Sequence, residues 1–376
     1  MHKYIWVGLD VHKVTIAVAV AKGEEVPHSL GTIPNDPDAI AKLMRKLGPS
    51  ARLRVCYEAG PCGYVLYRQL TAMGIDCAVV APTLVPVRAG DRVKTDRRDA
   101  LKLARLLRSG ELTAVAVPDE AHEALRDLVR AREAAHKDLR RARHRLQKFL
   151  LRQGHRCPLR TKAWGVRYLA WVSGLHFAHA PQSVVHREYL AEVERLAERR
   201  TRLDRELEVA LAQAPAAIQT VVRALQVLRG VAFVTAVTAV AEVGQFRRFT
   251  RARQLMAYSG LVPRESSSGD TVWRGAITKT GNAHLRRVLI EAAWQYRHQP
   301  RAGITIRQRR KGQAAALCAI AEKADHRLHL RYRRLLARGK SKGKGKVVTA
   351  IGRELLGFLW AVAVHAENGS TMPAAA

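Results

Sequence analysis

Cysteine is scarce in this sequence and scattered. Cys56, Cys62, Cys77, Cys157 and Cys318 are five among 376 residues, an odd number without any CxxC spacing. That pattern excludes a disulfide framework and a zinc cluster, and it suits a reducing cytoplasm. Acidic residues are also in short supply: 32 Asp plus Glu stand against 65 Lys plus Arg, a formal net charge of +33. Self-repulsion of that size opposes compaction, so a polyanionic partner is the natural explanation. Histones and ribosomal proteins share the trait, so charge alone points to nucleic acid and not to an enzyme. A membrane partner fits less well, because no basic amphipathic helix stands alone and no lipidation signal is present. The opening MHKYIWVGLD lacks the apolar core and cleavage site of a secretory signal and reads as a strand. No apolar run is expected to span a bilayer, since the most apolar stretch, Val231 to Val243, is short and carries Glu242. What is plentiful is apolar side chain, 48% of the residues, enough for globular cores in two or three domains.

Periodicity divides the chain. Residues 1–115 mix period-two and helical patterns. Strands are expected at Tyr4–Asp10, Thr15–Ala21, near Val26–Ile33, at Leu53–Tyr57 and at Asp76–Ala81, with helices at Asp36–Leu47, Gly63–Met73 and from about Thr95 to Arg108. Three neighbouring strands followed by alternating helices and strands imply an α/β layer with a mixed sheet. Residues 116–214 read as two long, charge-laced helices, 119–151 and 184–211, with narrow apolar stripes. Such stripes suit an antiparallel or intermolecular coiled coil, an arm for oligomerisation more than a domain core. Residues 215–366 read as compact and mainly helical, with a small hairpin in Gly260–Ile277. The run RGKSKGKGK at 338–346 reads as a disordered, backbone-binding loop, and 367–376 as a frayed tail.

Four acids in the first region stand at the ends of expected elements. Asp10 closes the first strand in WVGLDVHK, Glu58 closes a later one in RVCYEAG, and Asp96 and Asp99 open a helix in KTDRRDALKLARLL. A spacing of three puts the last two on one helix face, where the helix N-terminus tolerates negative charge. Metal-dependent phosphodiester cleavage needs carboxylates converging from several elements around hard divalent cations. Strand end, strand end and helix start is how RNase H-like sheets supply them. Each acid alone reads as a solvated group or an arginine partner; as a set they are far more specific. His12 and Lys13, next to Asp10, are placed either near a scissile phosphate or on a solvent-facing strand end.

In the second half, LRGVAFVTAVTAVAEV resembles a helix-hairpin-helix, although Ala232 stands where a second glycine is usual; an ordinary helical hairpin in a core is the equal alternative. Downstream, Arg247, Arg248, Arg251 and Arg253 crowd one helix entrance. Ser266, Ser267 and Ser268 precede Gly269 in a turn, and Arg274, Lys279, Arg286 and Arg287 flank Gly281-Asn282. A serine hydroxyl ringed by guanidinium groups can attack phosphate, because cations stabilise the alkoxide and the pentacovalent charge. Ser-Ser-Ser-Gly is equally a common flexible turn. No Ser-His-Asp set supports acyl transfer.

The order LDVHK, YEAG and KTDRRDA resembles the DEDD transposases of the IS110 group of insertion sequences, whose first domain is RuvC-like. The resemblance implies that Asp10, Glu58, Asp96 and Asp99 are a catalytic tetrad binding Mg²⁺, with Mn²⁺ as a substitute. GLVPRESSSG followed by ITKTGNAHLRR resembles the family's second catalytic domain, in which the serine before glycine is the nucleophile; here that is Ser268. An aromatic residue often stands where this chain has Ser266, which leaves Ser267 as an alternative. The resemblance further implies a recombinase of a bacterial mobile element, with both domains contributing to a composite site on double-stranded DNA. Assembly into dimers and tetramers, guidance by a structured RNA from the element, and a cytoplasmic, nucleoid-associated location belong to the same implication. Lys13, Arg247, Arg248, Arg251, Arg274, Lys279, Arg286 and Arg287 are the expected nucleic-acid contacts. A structure-specific junction nuclease retains the acids without the serine chemistry, and a nucleic-acid packaging protein rests on charge alone.

Overall fold

The structure, a computed structural model, describes residues 4–86, 94–158, 160–269, 271–338 and 343–371. The chain falls into two compact units, residues 1–117 and 118–376.

Among its described residues, the first unit is built on five strands and three α-helices. β1 (Ile5–Val11), β2 (Thr15–Lys22) and β3 (His28–Pro34) form an antiparallel meander, followed by α1 (Pro37–Leu47), β4 (Leu53–Glu58), α2 (Val65–Ala72), β5 (Asp76–Val80) and α3 (Asp96–Arg108). The sheet order is β3-β2-β1-β4-β5, with β4 and β5 parallel to β1, so the sheet is mixed. One sheet face is covered by a core of Val7, Leu9, Ile16, Val18, Leu53 and Tyr57 against Ile40, Met44, Leu66 and Leu70 of the helices. The opposite face carries small residues, Ala17 and Ala19, against Ala100 and Ala104 of α3. Small side chains allow a close approach, and Gly8 shows how close: a Cβ there would stand 2.3 Å from the Ala100 carbonyl oxygen and 2.4 Å from the Ala104 nitrogen. Helix starts are capped as side-chain chemistry dictates. Asp36 accepts from Asp38 and Ala39 amides before α1, and Thr95 accepts from the Arg98 amide before α3.

The second unit begins with α4 (Glu120–Arg152), α5 (Val166–Ser173) and α6 (Ala180–Gln213). α4 and α6 run antiparallel within the chain, joined by Arg132–Asp204 at 2.7 Å. Their distal halves enclose a small core of Leu139, Leu146, Phe149, Val193 and Leu196 with Tyr168 and Val172 of α5. The expectation of an arm outside any domain core is corrected at the base: Leu125, Val129, Leu207 and Leu211 belong to the main core of the unit. Sequence reading missed α5 because eight residues hold too few turns for a periodic signal.

The rest is α7 (Ala216–Leu225), α8 (Phe233–Val243), α9 (Ala252–Tyr258), the hairpin β6 (Pro263–Ser268) and β7 (Thr271–Ile277), α10 (Ala283–Ala293), α11 (Ile304–Arg310), α12 (Ala315–Arg338) and α13 (Lys344–Thr371). α13 is the spine of this region, with Val348, Ile351, Leu355, Leu356, Leu359 and Val362 fully buried. By length and composition Lys344–Gly369 could cross a membrane, which corrects the expectation that no such segment exists; half of that apolar window is buried inside the unit. The expected tail at 367–376 begins too early, because the helix continues to Thr371 and Glu367 accepts from the Phe246 and Arg247 amides at 2.7 and 2.8 Å. In the 338–346 run, positions 339–342 lie outside the described residues, while Lys344 and Lys346 are already in α13.

The turn between α7 and α8 is packed through its side chains into the core of the unit. Val227, Leu228 and Val231 are fully buried, and the Val231 amide donates to the Leu228 carbonyl. Gly230 is required because α10 passes over it: a Cβ would meet the Ala292 oxygen at 2.3 Å. Gly230 and the first residues of α8, Ala232 to Thr235, stay half-exposed beside this packed turn.

Candidate active site

Asp10 and Glu58 are brought together by strand pairing. β1 and β4 are parallel with Leu9 opposite Tyr57, so Asp10 and Glu58 follow as neighbours at the same sheet edge. α3 crosses the sheet at Gly8 and Ala17/Ala19, and its N-terminus delivers Asp96 and Asp99 to that edge. His12 Nε2 lies 3.4 Å from Asp10 Oδ2 and 3.5 Å from Asp96 Oδ1. One ligand atom from each of Asp10, His12 and Asp96 falls within 4.8 Å of the others. Lys94 Nζ approaches Asp99 Oδ2 at 3.8 Å. Beside them opens a cleft of about 520 Å³, lined by Glu58 and Asp99 with the cations Lys94, Arg98, Lys102 and Arg105.

The electrostatics follow from this crowding. Burial raises the pKa of Asp10, and the charges of Asp99 and Asp96 add to the rise against the opposing influence of His12. Burial likewise raises Glu58, with Asp99 and Asp10 pushing the same way and Lys94 and Lys102 against it. Carboxylates that disfavour one another's ionisation store a demand for a cation. The donors are hard carboxylate oxygens from three elements plus one imidazole, a set that fits Mg²⁺ or Mn²⁺. Asp10 is 18% exposed and Asp96 63%, so the cluster grades from a half-buried floor to a solvent-facing rim.

The serine segment belongs to the second unit. Ser266, Ser267 and Ser268 are exposed on β6, and Gly269 follows with a positive φ of 57°. Pairing sets Ser266 opposite Trp273, Ser267 opposite Val272 and Ser268 opposite Thr271. Directly opposed residues share a face and successive residues alternate. Ser268 therefore shares its face with Trp273, and Ser267 shares the other with Glu265 and Arg274. Contacts agree: Ser267 Oγ donates to Glu265 Oε1 at 3.2 Å, and Arg274 Nε donates to Glu265 Oε2 at 3.0 Å. Ser268 Oγ has no partner among the described residues.

The hairpin stands on a buried polar base that sequence reading missed. Glu242, fully buried on α8, accepts from Arg130 Nε and Asn282 Nδ2 at 2.8 and 2.7 Å. Glu133 on α4 accepts from His284 Nδ1, Arg287 and Lys137 at 2.8, 2.9 and 2.6 Å. Asn282 also caps α10 through the Leu285 amide. Gly281 (φ 98°) lies so close to the Tyr258 carbonyl that a Cβ would stand 2.2 Å from its oxygen. The sequence signal for Glu242 was its isolation in an apolar run; its arginine partner comes from a helix more than a hundred positions away.

Of the expected basic contacts, Lys13, Arg247, Arg248, Arg251, Arg274 and Lys279 are exposed. Arg248 is partly engaged, stacked on Phe249 and Tyr258 and bonded to the Val243 carbonyl. Arg286 and Arg287 are half-buried and engaged within the unit: Arg286 donates to the Ser259 carbonyl at 2.7 Å, and Arg287 is held by Glu133 and Glu291.

Comparison with known proteins sets this geometry in a family. A transposase model of the IS110 DEDD type matches residues 7–154, which contain all four acids, and a model described as "Transposase IS116/IS110/IS902 family" matches residues 222–305, which contain the hairpin. A putative transposase of Sinorhizobium fredii is 44% identical over 372 residues, covering 98% of this chain and 90% of that protein. The transposase for an insertion sequence element of Leptospira borgpetersenii is 34% identical over 90% of this chain and 99% of that protein. The chain belongs to the IS110 family of transposases.

Proposed function

We propose that this transposase is a recombinase of a bacterial insertion sequence, with an RNase H-like, RuvC-like first unit that prepares a phosphodiester and a serine in the second unit that attacks it. The observation that carries the reading is the convergence of Asp10, Glu58, Asp96 and Asp99 at one sheet edge inside a matched transposase segment. These four acids would hold Mg²⁺ or Mn²⁺, which when bound supplies Lewis-acid charge at phosphate oxygens. Asp10 and Glu58 form the fixed floor, and Asp96 and Asp99 ride on the helix start. Lys94, Arg98, Lys102 and Lys13 sit where a sugar-phosphate backbone would need neutralising charge.

Ser268 Oγ is assigned as the nucleophile, with Ser267 as the alternative. Its oxygen gives up the hydroxyl proton and forms a bond to phosphorus, while the departing strand's oxygen leaves with the electron pair of the broken P–O bond and takes up a proton in return. The phosphoserine conserves the bond energy for rejoining to a second strand. Arg247, Arg251, Arg274 and Lys279 would bind the DNA backbone. Double-stranded DNA at element ends and target is the substrate, and a structured guide RNA is the assigned source of target choice. A homodimer, paired into a tetramer in the active complex, is the assigned assembly, and the reaction belongs beside the nucleoid in the cytoplasm.

The test is a transposition assay with adduct trapping on Asp10→Ala, Ser268→Ala and Ser267→Ala proteins. Both Asp10→Ala and Ser268→Ala should abolish rejoined product, and Ser268→Ala should abolish the protein–DNA adduct. Hydrolysis of branched DNA with no adduct in the unaltered protein would transfer the assignment to a junction nuclease.

A further inference from the structure

The β6–β7 hairpin exposes an aromatic side chain that neither the acidic site nor the serine chemistry uses. Trp273 is 60% exposed, although a tryptophan on a protein of this size is ordinarily drawn into a core. Its ring is nevertheless held. Gly275, two residues on and on the same face, leaves the space the indole occupies: a Cβ there would fall 2.6 Å from Trp273 Cη2 and 2.9 Å from Cζ3. The indole therefore lies over bare backbone, oriented on one side and open on the other. Strand register places it opposite Ser266 and on the face of Ser268, and away from the Glu265–Arg274 pair. A two-stranded ribbon is narrow enough to enter a DNA groove, and Arg274 is paired with Glu265, so exposed Arg264 and Lys279 are the cations this one offers to phosphate.

We propose that Trp273 is a stacking platform for an unpaired nucleobase of the DNA, adjoining the phosphate that the serine face addresses. This rests on the reading of the hairpin as the strand-attacking segment. A π-face of fixed orientation accepts any base, so the contact favours opened DNA without reading sequence. Gly275 acts as its positioning residue, by leaving room for the ring.

The experiment measures binding of full-length protein to a DNA duplex carrying a fluorescent purine analogue at an unpaired position, with the fully paired duplex and the RNA counterpart as parallel probes. Trp273→Ala should weaken binding to the unpaired-base DNA by about tenfold or more and abolish quenching of the analogue, while Trp273→Phe retains most of both. Gly275→Ala should lower quenching, and Val272→Ala, on the other face, should change neither. Equal affinity and quenching in Trp273→Ala, an equal loss in Val272→Ala, or a loss confined to the RNA probe would overturn the proposal. Ser268→Ala should keep full quenching while losing the adduct. If adducts persist in Ser268→Ala and the Trp273 effect stands, the serine assignment alone has failed.

Discussion

Single residues carry the sharpest expectations. Asp10 sits on the half-buried floor of the acidic cluster, so Asp10→Ala should weaken Mn²⁺ binding, read by calorimetry, by more than the ~100-fold typical of an outer-shell change. Glu242 is the reverse case, a carboxylate whose value lies in structure. Burial would raise its pKa, yet hydrogen bonds from Arg130 and Asn282 lower it. Glu242→Ala leaves the Arg130 guanidinium and the Asn282 amide without their shared acceptor. It should cost about 3–5 kcal/mol in chemical denaturation. Glu133 adds a pH signature. Burial alone would raise its pKa, but His284, Lys137 and Arg287 outweigh that and hold it at about 2 against an ordinary 4.5. A folded pKa below the unfolded one contributes stability that is complete above about pH 5 and is lost as pH falls toward 2. Denaturation midpoints taken across that acid window should therefore drop more steeply in the unaltered protein than in Glu133→Gln. Such networks stay hidden in a sequence because their partners come from distant helices, whereas Asp10 and Glu58 were legible as acids that end apolar strands.

Among the elements, the contact of α3 with β1 sets the spacing of the acidic cluster. Gly8→Ala would drive a methyl group into the α3 backbone, costing about 1–3 kcal/mol and moving Asp96 and Asp99 away from Asp10. Loss of Mn²⁺ affinity with the fold retained is the expected result; unchanged affinity would detach helix position from metal binding. The sheet was readable because period-two patterns bounded by turns are local signals. The packing of the α7–α8 turn was not, because its need for glycine at Gly230 arises from α10 passing overhead. Likewise α13 hid its length, since Gly352 and Gly357 and a few charged residues interrupt its apolar run while the helix itself continues.

At the scale of the whole molecule, the distal α4–α6 core is separate from the main one, so its outer part can be removed without opening the latter. Replacing the chain between the distal halves with a short loop should leave a folded protein that no longer dimerises; light scattering reads the outcome, and an active monomer would end the oligomerisation role. The net charge of +33 implies a steep salt response. Duplex affinity should fall about a thousandfold between low and physiological salt if about six phosphates are neutralised. That charge was visible from composition alone. Which arginines are also engaged inside the fold, as Arg286 and Arg287 are, was not, because pairing is a property of the folded neighbourhood.

The β6–β7 ladder shifts register just before the three serines, where the two steps from Pro263 to Glu265 face three from Ile277 to Arg274. Because strand side chains alternate, the uninterrupted pairs from Ser266–Trp273 to Ser268–Thr271 fix which hydroxyl lies beside the indole and which is turned toward a carboxylate, and the irregularity lies between them and the rest of the unit. Deleting one position upstream of Ser266 would turn the ribbon over like a key inserted upside down, exchanging its two faces while every hydroxyl kept the same neighbour across the ladder.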